Sequence, residues 1–237
     1  MKKIIVFASF ISLFGCAELQ QVASQYPQLG TALGNPDIAA GLKEALNNGI
    51  TKEVSKLTAT DGFFKNQMVK ILLPAELQKV DKTLRNIGLS SLADEGLKVL
   101  NRAAEDAVKE ATPIFVNAVK NMTFTDAKNI LLGADNAATT YLQNSTSQAL
   151  YSKFSPVVQN SLGKVGADKV WSTIITKYNA VPMTTDVNPD LTDYVTDKAM
   201  EGVFKMIAVE EKDIRTNLSA RTSDLLKRVF AMQDKKS

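Results

Sequence analysis

The sequence predicts an all-α protein: a single multi-helix, bundle-like domain with a long central alanine-rich helix. Three observations carry that prediction. Apolar residues recur three and four positions apart over long windows, the spacing of one buried helix face. No stretch alternates apolar and polar residues between hairpin-type turn pairs, so no sheet is expected. No period of about 20–50 residues repeats along the chain, which sets aside a solenoid or propeller.

The elements follow in order. Residues 17–35 are rich in Gln, Ser, Ala and Gly and read as a tether. Asn35-Pro36 then combines a capping residue with proline at the first helical position. Ile38, Leu42, Leu46, Ile50, Val54 and Leu57 line one face of the first helix, which Asp61-Gly62 breaks. A short helix is expected over 63–71, before Pro74. Leu77, Val80, Leu84 and Ile87 mark the next, closed by Gly88. The longest element is expected to start at Ser90/Ser91, with Asp94 placed as in a capping box. It runs through Leu97, Leu100, Ala104, Ala107 and Ala111 toward Val119, with Pro113 as a kink or break. Thr125 is expected to cap a short helix ending at Gly133, and Asp135 to open another through Tyr141. Pro156 punctuates the stretch that Gly163 and Gly166 end. Residues 170–178, with the lone Trp171, read as helix, and 180–189 as a loop. Residues 190–217 and 219–232 return to helix, and 233–237 read as a frayed tail. The domain so delimited is 36–232, long enough to bury roughly 70% of the surface its unfolded chain would expose.

Composition narrows the chemistry. The chain contains no histidine, the commonest general base and metal ligand, and one cysteine, so no intrachain disulfide or thiolate cluster can form. No nucleophile motif or glycine-rich phosphate loop is present, and no cofactor is expected. The formal charge is +3, and Lys2 and Lys3 supply two of those charges. Acids and bases are interspersed elsewhere, so no stripe exists to track a phosphate backbone, and nucleic acid is not an expected partner.

Residues 1–15 have the layout of an export signal: Lys2-Lys3, then an apolar run over 4–14 that is short for a membrane span. Leu13-Phe14-Gly15-Cys16 resembles the bacterial lipobox, with Phe14 bulkier than usual at its position. Cys16 is then the acylated residue, and 16–35 the lipidated N-terminus and tether. Cleavage after Ala17 is the alternative and would release a soluble protein. Several acyl chains, at ~0.8 kcal/mol per buried methylene, make a stable anchor where one chain is marginal. With no aspartate after the cysteine, the expected location is the periplasmic face of the outer membrane.

Three groups of polar residues are candidate sites. Asn101, Arg102 and Glu105 share a helix face by their three- and four-residue spacings, and a salt-bridged packing node accounts for the same letters. Glu210, Glu211 and Arg215 form the second group. Glu211 and Arg215 pair at i,i+4, which reads as a surface ion pair, while Glu210 and Glu211 diverge by about 100° on a helix and cannot easily face one substrate. Asp186-x-Asn188-x-Asp190, with Asp197 twelve along, imitates a calcium loop. It lacks the sixth-position glycine (Leu191), has Pro189 at position four and ends on Asp instead of Glu, and an aspartate-rich helix start gives the same letters. Asp126, a first-turn acid, and Thr139-Thr140, whose hydroxyls can bond back to their helix, are weaker candidates.

Taken together, Gly41-Leu42-Lys43-Glu44-Ala45-Leu46, Asp61-Gly62-Phe63, Asn101-Arg102-Ala103-Ala104-Glu105, Asp126-Ala127, Ala138-Thr139-Thr140-Tyr141 and Glu210-Glu211-x-x-Ile214-Arg215-x-Asn217 resemble a family of bacterial exported proteins catalogued only as a domain of unknown function. The resemblance spans about residues 36–231, and Leu218 stands where it implies proline. It implies an all-helical lipoprotein and brings no substrate or catalytic residue. The expected function is a non-enzymatic binding or scaffold module, membrane-attached by its lipid, with an envelope protein or an apolar ligand such as a lipid as partner. The alternative is a carboxylate hydrolase of envelope glycans, pairing Glu105 with Glu210 or Asp126 across a cleft of roughly 5–10 Å.

Overall fold

A computed structural model describes residues 34–164 and 191–234, with Thr173 and Thr176 as single helical positions between them. Residues 1–33 (with the expected export signal, Cys16 and nearly all of the expected tether), most of 165–190 (with the expected 170–178 helix, the 180–189 loop, Asp186, Asn188 and Asp190) and the last three residues lie outside the described residues.

The domain is all-α. Its helices are α1 (Asn35–Thr58), α2 (Ala75–Asn86), α3 (Ser90–Val108), α4 (Ala111–Asn121), α5 (Phe124–Leu131), α6 (Ala137–Lys164), α7 (Thr192–Thr216) and α8 (Asp224–Asp234), with a 3-10 turn at Leu218–Ala220. No strand occurs among the described residues, and none of their helices is long and apolar enough to cross a membrane. α7 packs on α6, α3 and α1, and α3 packs on α6 as well, so α3 and α7 form the middle of the domain. The contact between α3 and its neighbours is close because Ala93, Gly96, Ala103, Ala104 and Ala107 are all buried. Phe115 of α4 meets Phe204 of α7 edge to face, with ring centres 5.8 Å apart, the geometry that the ring quadrupoles favour.

α1 starts at Asn35 itself, one residue before the expected first helical position, and its apolar stripe is buried throughout. Gly88 closes α2 with φ +83°, the left-handed conformation that glycine adopts without a Cβ penalty. Several boundaries differ from expectation. Residues 63–71 form turns and then an extended run to Pro74, not a helix. Val69, Ile71 and Leu73 are buried while Met68 and Leu72 are exposed, so the local period is two; Pro74 also disfavours helical geometry at Leu73. The capping box at Ser90 does not form: Leu89 precedes α3 without a side-chain cap, and Asp94 binds Arg85 at 2.6 Å instead.

The expected long helix is two, α3 and α4, and the longest element is α6. The break falls at Lys109–Glu110, ahead of Pro113, which occupies the first turn of α4 where a missing N–H costs nothing. Thr123, two residues before the expected cap, starts α5 with a complete capping box to Asp126. α6 runs on through Pro156, and α8 extends to Asp234.

Gly202 sits where α7 meets the turn after α1: a Cβ there would lie 2.7 Å from Phe63 Cε1 and 3.4 Å from the Val69 Cβ. Phe63 is fully buried and cannot swing away. Gly202→Val is therefore expected to lower stability by about 3 kcal/mol through overpacking, read as a lower urea midpoint at unchanged slope.

Candidate functional site

The polar residues singled out in the sequence assemble into two separate nodes, and each node is built around backbone groups. The first lies on α3. Asn101, fully buried, accepts the Ile71 N–H at 2.8 Å and donates to the Ile71 carbonyl at 2.9 Å and to the Leu97 carbonyl at 2.8 Å. One turn on, the Glu105 carboxylate accepts the N–H groups of Asp61 (3.3 Å), Phe63 (3.1 Å) and Phe64 (3.5 Å). Arg102 reaches over to Glu105 at 3.0 Å and Asp61 at 2.8 Å. Asp61 has φ +65° and opens the turn that the carboxylate holds. Asn101, Arg102 and Glu105 thus converge as their spacing implied, on the 61–71 segment.

The second node joins helix ends. Glu211 of α7, 7% exposed, accepts the Ala138 and Thr139 N–H groups at 2.9 and 2.8 Å and the Thr139 hydroxyl at 2.8 Å, a carboxylate at the N-terminus of α6. Arg215 holds the same carboxylate through Nε at 3.0 Å and Nη2 at 2.8 Å. It also donates to the carbonyls of Ile130 (2.8 Å) and Leu131 (3.3 Å) at the end of α5. The expectation of a surface ion pair is corrected here, because Arg215 is 3% exposed. It is buried because its guanidinium has five donors to place and unsatisfied helix-end carbonyls lie within reach. Thr139 likewise bonds across to α7 and not back to its own helix.

Glu210 and Glu211 diverge as helix geometry requires: Glu210 turns to Lys52 of α1 at 2.7 Å, and this hydrogen bond raises the lysine pKa. Asp126 is held by the Thr123 hydroxyl at 2.7 Å and N–H at 2.9 Å. Those bonds, the hydroxyl first, keep its pKa below the usual carboxylate range. Glu105, Glu210 and Asp126, the acids considered for glycan hydrolysis, are thus each engaged with different structural partners. Asp197 lies on α7, outside both nodes, and no group of three acidic or thiol side chains suited to a metal occurs among the described residues.

Two buried charged residues were not anticipated. Arg221 donates to the Ile214 and Arg215 carbonyls at 3.1 and 3.0 Å, closing the end of α7, and grips Asp234 of α8 at 2.6 and 2.9 Å. Glu53, 1% exposed, is paired to Lys56 at 2.6 Å. Its place inside the Ile50–Leu57 apolar stripe was a visible signal; Arg221, in a connection between helices, had none.

Two concavities stand near these nodes. One, of about 20 Å³, is lined mostly by apolar side chains of α1 and α7 with Glu211 and Arg215 at its wall; it has room for about one water and none for an acyl chain. The other is a groove of about 580 Å³ between residues 68–74 and the α7 face of Tyr194, Lys198, Gly202 and Lys205.

Against known proteins, the chain matches over residues 32–231 a family model described as "Protein of unknown function (DUF4197)". No curated protein and no solved structure matches it.

Neighbouring acids separate buried from surface roles. Glu211→Ala leaves Arg215 buried without its carboxylate and is expected to cost about 3–5 kcal/mol, whereas Glu210→Ala, losing half-exposed Lys52, is expected to cost less than about 1 kcal/mol; urea unfolding of both variants measures the gap. The pH dependence has a definite sign. Asp126, bonded to Thr123, and Asp234, bonded to Arg221, have folded-state pKa values below the ordinary 3.8. Their contribution is complete above that value and lost as pH falls through the folded values. The stability difference between the native chain and Asp126→Ala should accordingly shrink between neutral pH and about pH 2.

Proposed function

The chain belongs to the DUF4197 family of proteins of unknown function, and we propose that it is a lipid-anchored envelope protein whose helical domain is a non-enzymatic binding module. The observation that carries the non-enzymatic half is the fate of the candidate acids. Glu105 and Glu211 spend their oxygens on backbone N–H groups and arginines, Asp126 on a capping box and Glu210 on Lys52. A general acid–base pair must exchange protons with substrate, and these carboxylates are committed to holding the fold. The hydrolase alternative gains no support from them. The apolar-ligand alternative gains none from a cavity the size of one water.

The attachment half rests on Lys2-Lys3, the apolar run and Leu13-Phe14-Gly15-Cys16. The family match begins at residue 32, and in this reading residues 17–31, rich in Gln, Ser and Ala, connect Cys16 to the domain. In this reading the domain works at the periplasmic face of the outer membrane, within a tether's reach of the lipid.

Mass spectrometry on protein from the native membrane fraction, beside a Cys16→Ala variant, tests the anchor. The expected result is an N-terminal acylated Cys16 and loss of membrane association in the variant. An unacylated N-terminus after Ala17 would replace the anchored reading with a diffusing protein.

A further inference from the structure

After the turn at 67–69, residues 70–73 run extended through a helical domain, and their two edges are unequal. In extended chain, successive residues turn their N–H and C=O to opposite sides. Ile71 turns both toward α3, where the Asn101 amide takes them as a neighbouring strand would. The Lys70 carbonyl and both groups of Leu72 fall on the other edge, beside the groove, while the Lys70 N–H closes the preceding turn on the Asn66 carbonyl at 2.8 Å. On that edge the Leu72 carbonyl accepts the Tyr194 hydroxyl at 2.7 Å, while the Leu72 N–H and the Lys70 carbonyl have no partner among the described residues. The outward side chains, Met68 at 43% and Leu72 at 57% exposed, are large and apolar.

The far wall of the groove is cationic. Lys198 and Lys205 stand on α7, and Lys70 lies over the Phe64 ring with its ammonium 4.5 Å from the centroid. Glu201 is the single acid of the lining and is paired with Lys198. Lys205 donates to the Met68 carbonyl at 2.8 Å and so ties the helix to the segment. Three lysines against one glutamate give this groove a positive excess that the chain as a whole, with its interspersed charges, lacks.

We propose that this groove binds an extended acidic peptide segment of a partner protein, which adds as a strand along the open edge at Lys70–Leu72. Backbone hydrogen bonds to the Leu72 N–H and Lys70 carbonyl supply affinity, the way peptides add to exposed strand edges. Carboxylates against Lys70, Lys198 and Lys205 choose an acidic partner over a basic one. Met68 and Leu72 receive the peptide's alternate apolar side chains, with methionine adapting to their shape. The volume lies within the range of about 300–1,000 Å³ usual for ligand clefts. The inference rests on the reading of the domain as a binding module and names its site and the chemistry of its partner.

The test is fluorescence anisotropy on the mature chain carrying Cys16→Ala, so that the lipid plays no part and failure here is separable from failure of the anchor. The probe is a labelled peptide of about six residues alternating valine and glutamate. Its controls are the valine–lysine counterpart and versions N-methylated on alternate residues in each register. Expected are saturable binding of the acidic peptide, weakening by about ten-fold or more in Lys70→Glu/Lys198→Glu, loss with one methylation register and tolerance of the other, and slowed hydrogen exchange at the Leu72 amide. An unchanged urea midpoint for the double variant shows that it is folded. Equal binding of the lysine peptide, indifference to methylation register, or no saturation up to about 1 mM overturns the proposal. So does binding of phosphatidylglycerol vesicles through the same lysines in place of the peptide, which would make the groove a membrane-facing surface.

Discussion

Once the chain leaves the helical ladder at Asp61 inside a helical core, its backbone groups need partners that no helix supplies, and Asn101 and Glu105 are those partners. An unpaired buried N–H or C=O costs about as much as a lost hydrogen bond, and the turn and extended run between Asp61 and Ile71 would bury several. Four residues apart on α3, an amide that both donates and accepts meets Ile71 on both of its groups, and a carboxylate that only accepts meets the three donors of Asp61, Phe63 and Phe64. The residue types match the need at each point. An acid at 101 could not satisfy the Ile71 carbonyl, and an amide at 105 would offer one oxygen where three donors converge. Arg102 balances the buried carboxylate while its own head stays partly in solvent, so the charge is taken from water at one end only.

The same constraint organises the other half of the domain. The ends of α5, α6 and α7 come together, and helix ends leave N–H and C=O groups without intrahelical partners. Glu211 is placed at the start of α6, where a negative charge is favoured, and Arg215 and Arg221 at the ends of α5 and α7, where positive charge is favoured. Buried ion pairs add little net stability over an apolar core of the same shape. What these three contribute is position: a carboxylate that must meet two particular N–H groups fixes the rotation of α7 against α6 in a way that interchangeable leucines do not.

How much of this the sequence carried depended on whether the signal was local. Helical period marked α1 and α7 closely, and Gly88 marked a turn, because the reasons for those features lie within a few residues. The spacing of Asn101, Arg102 and Glu105 told which side chains share a face, though not that the face meets backbone. Burial of Arg215 was illegible, since an i,i+4 acid–base pair has the same letters in water or in a core; the deciding partners, the carbonyls of Ile130 and Leu131, are more than eighty residues away. Residues 63–71 misled for the opposite reason. The alternation of Val69, Ile71 and Leu73 was present, but three positions are too few to outweigh helical surroundings, and what makes the extended path stable is a side chain thirty residues later.

That extended path also explains why a binding edge arises in an all-α protein at all. A single extended segment satisfied by a side-chain amide on one edge necessarily carries a second edge, and nothing helical can pair with it. Proteins commonly protect exposed strand edges with lysine, short length or a covering element. Here the edge is short, Lys70 lies on it and α7 stands beside it, with Gly202 letting the helix close on Phe63 and Val69 below the groove. Protection is nevertheless incomplete in a specific way. Tyr194 and Lys205 occupy carbonyls at Leu72 and Met68, while one donor at Leu72 and one acceptor at Lys70 have no partner among the described residues and lie between two exposed apolar side chains. Blocking the outer carbonyls while leaving one donor–acceptor pair limits what can dock to a short extended segment in one register. Indiscriminate stacking of further chains would require the whole edge. The asymmetry begins at Asn101, whose amide makes the inner edge permanent and leaves the outer one to be completed by another chain.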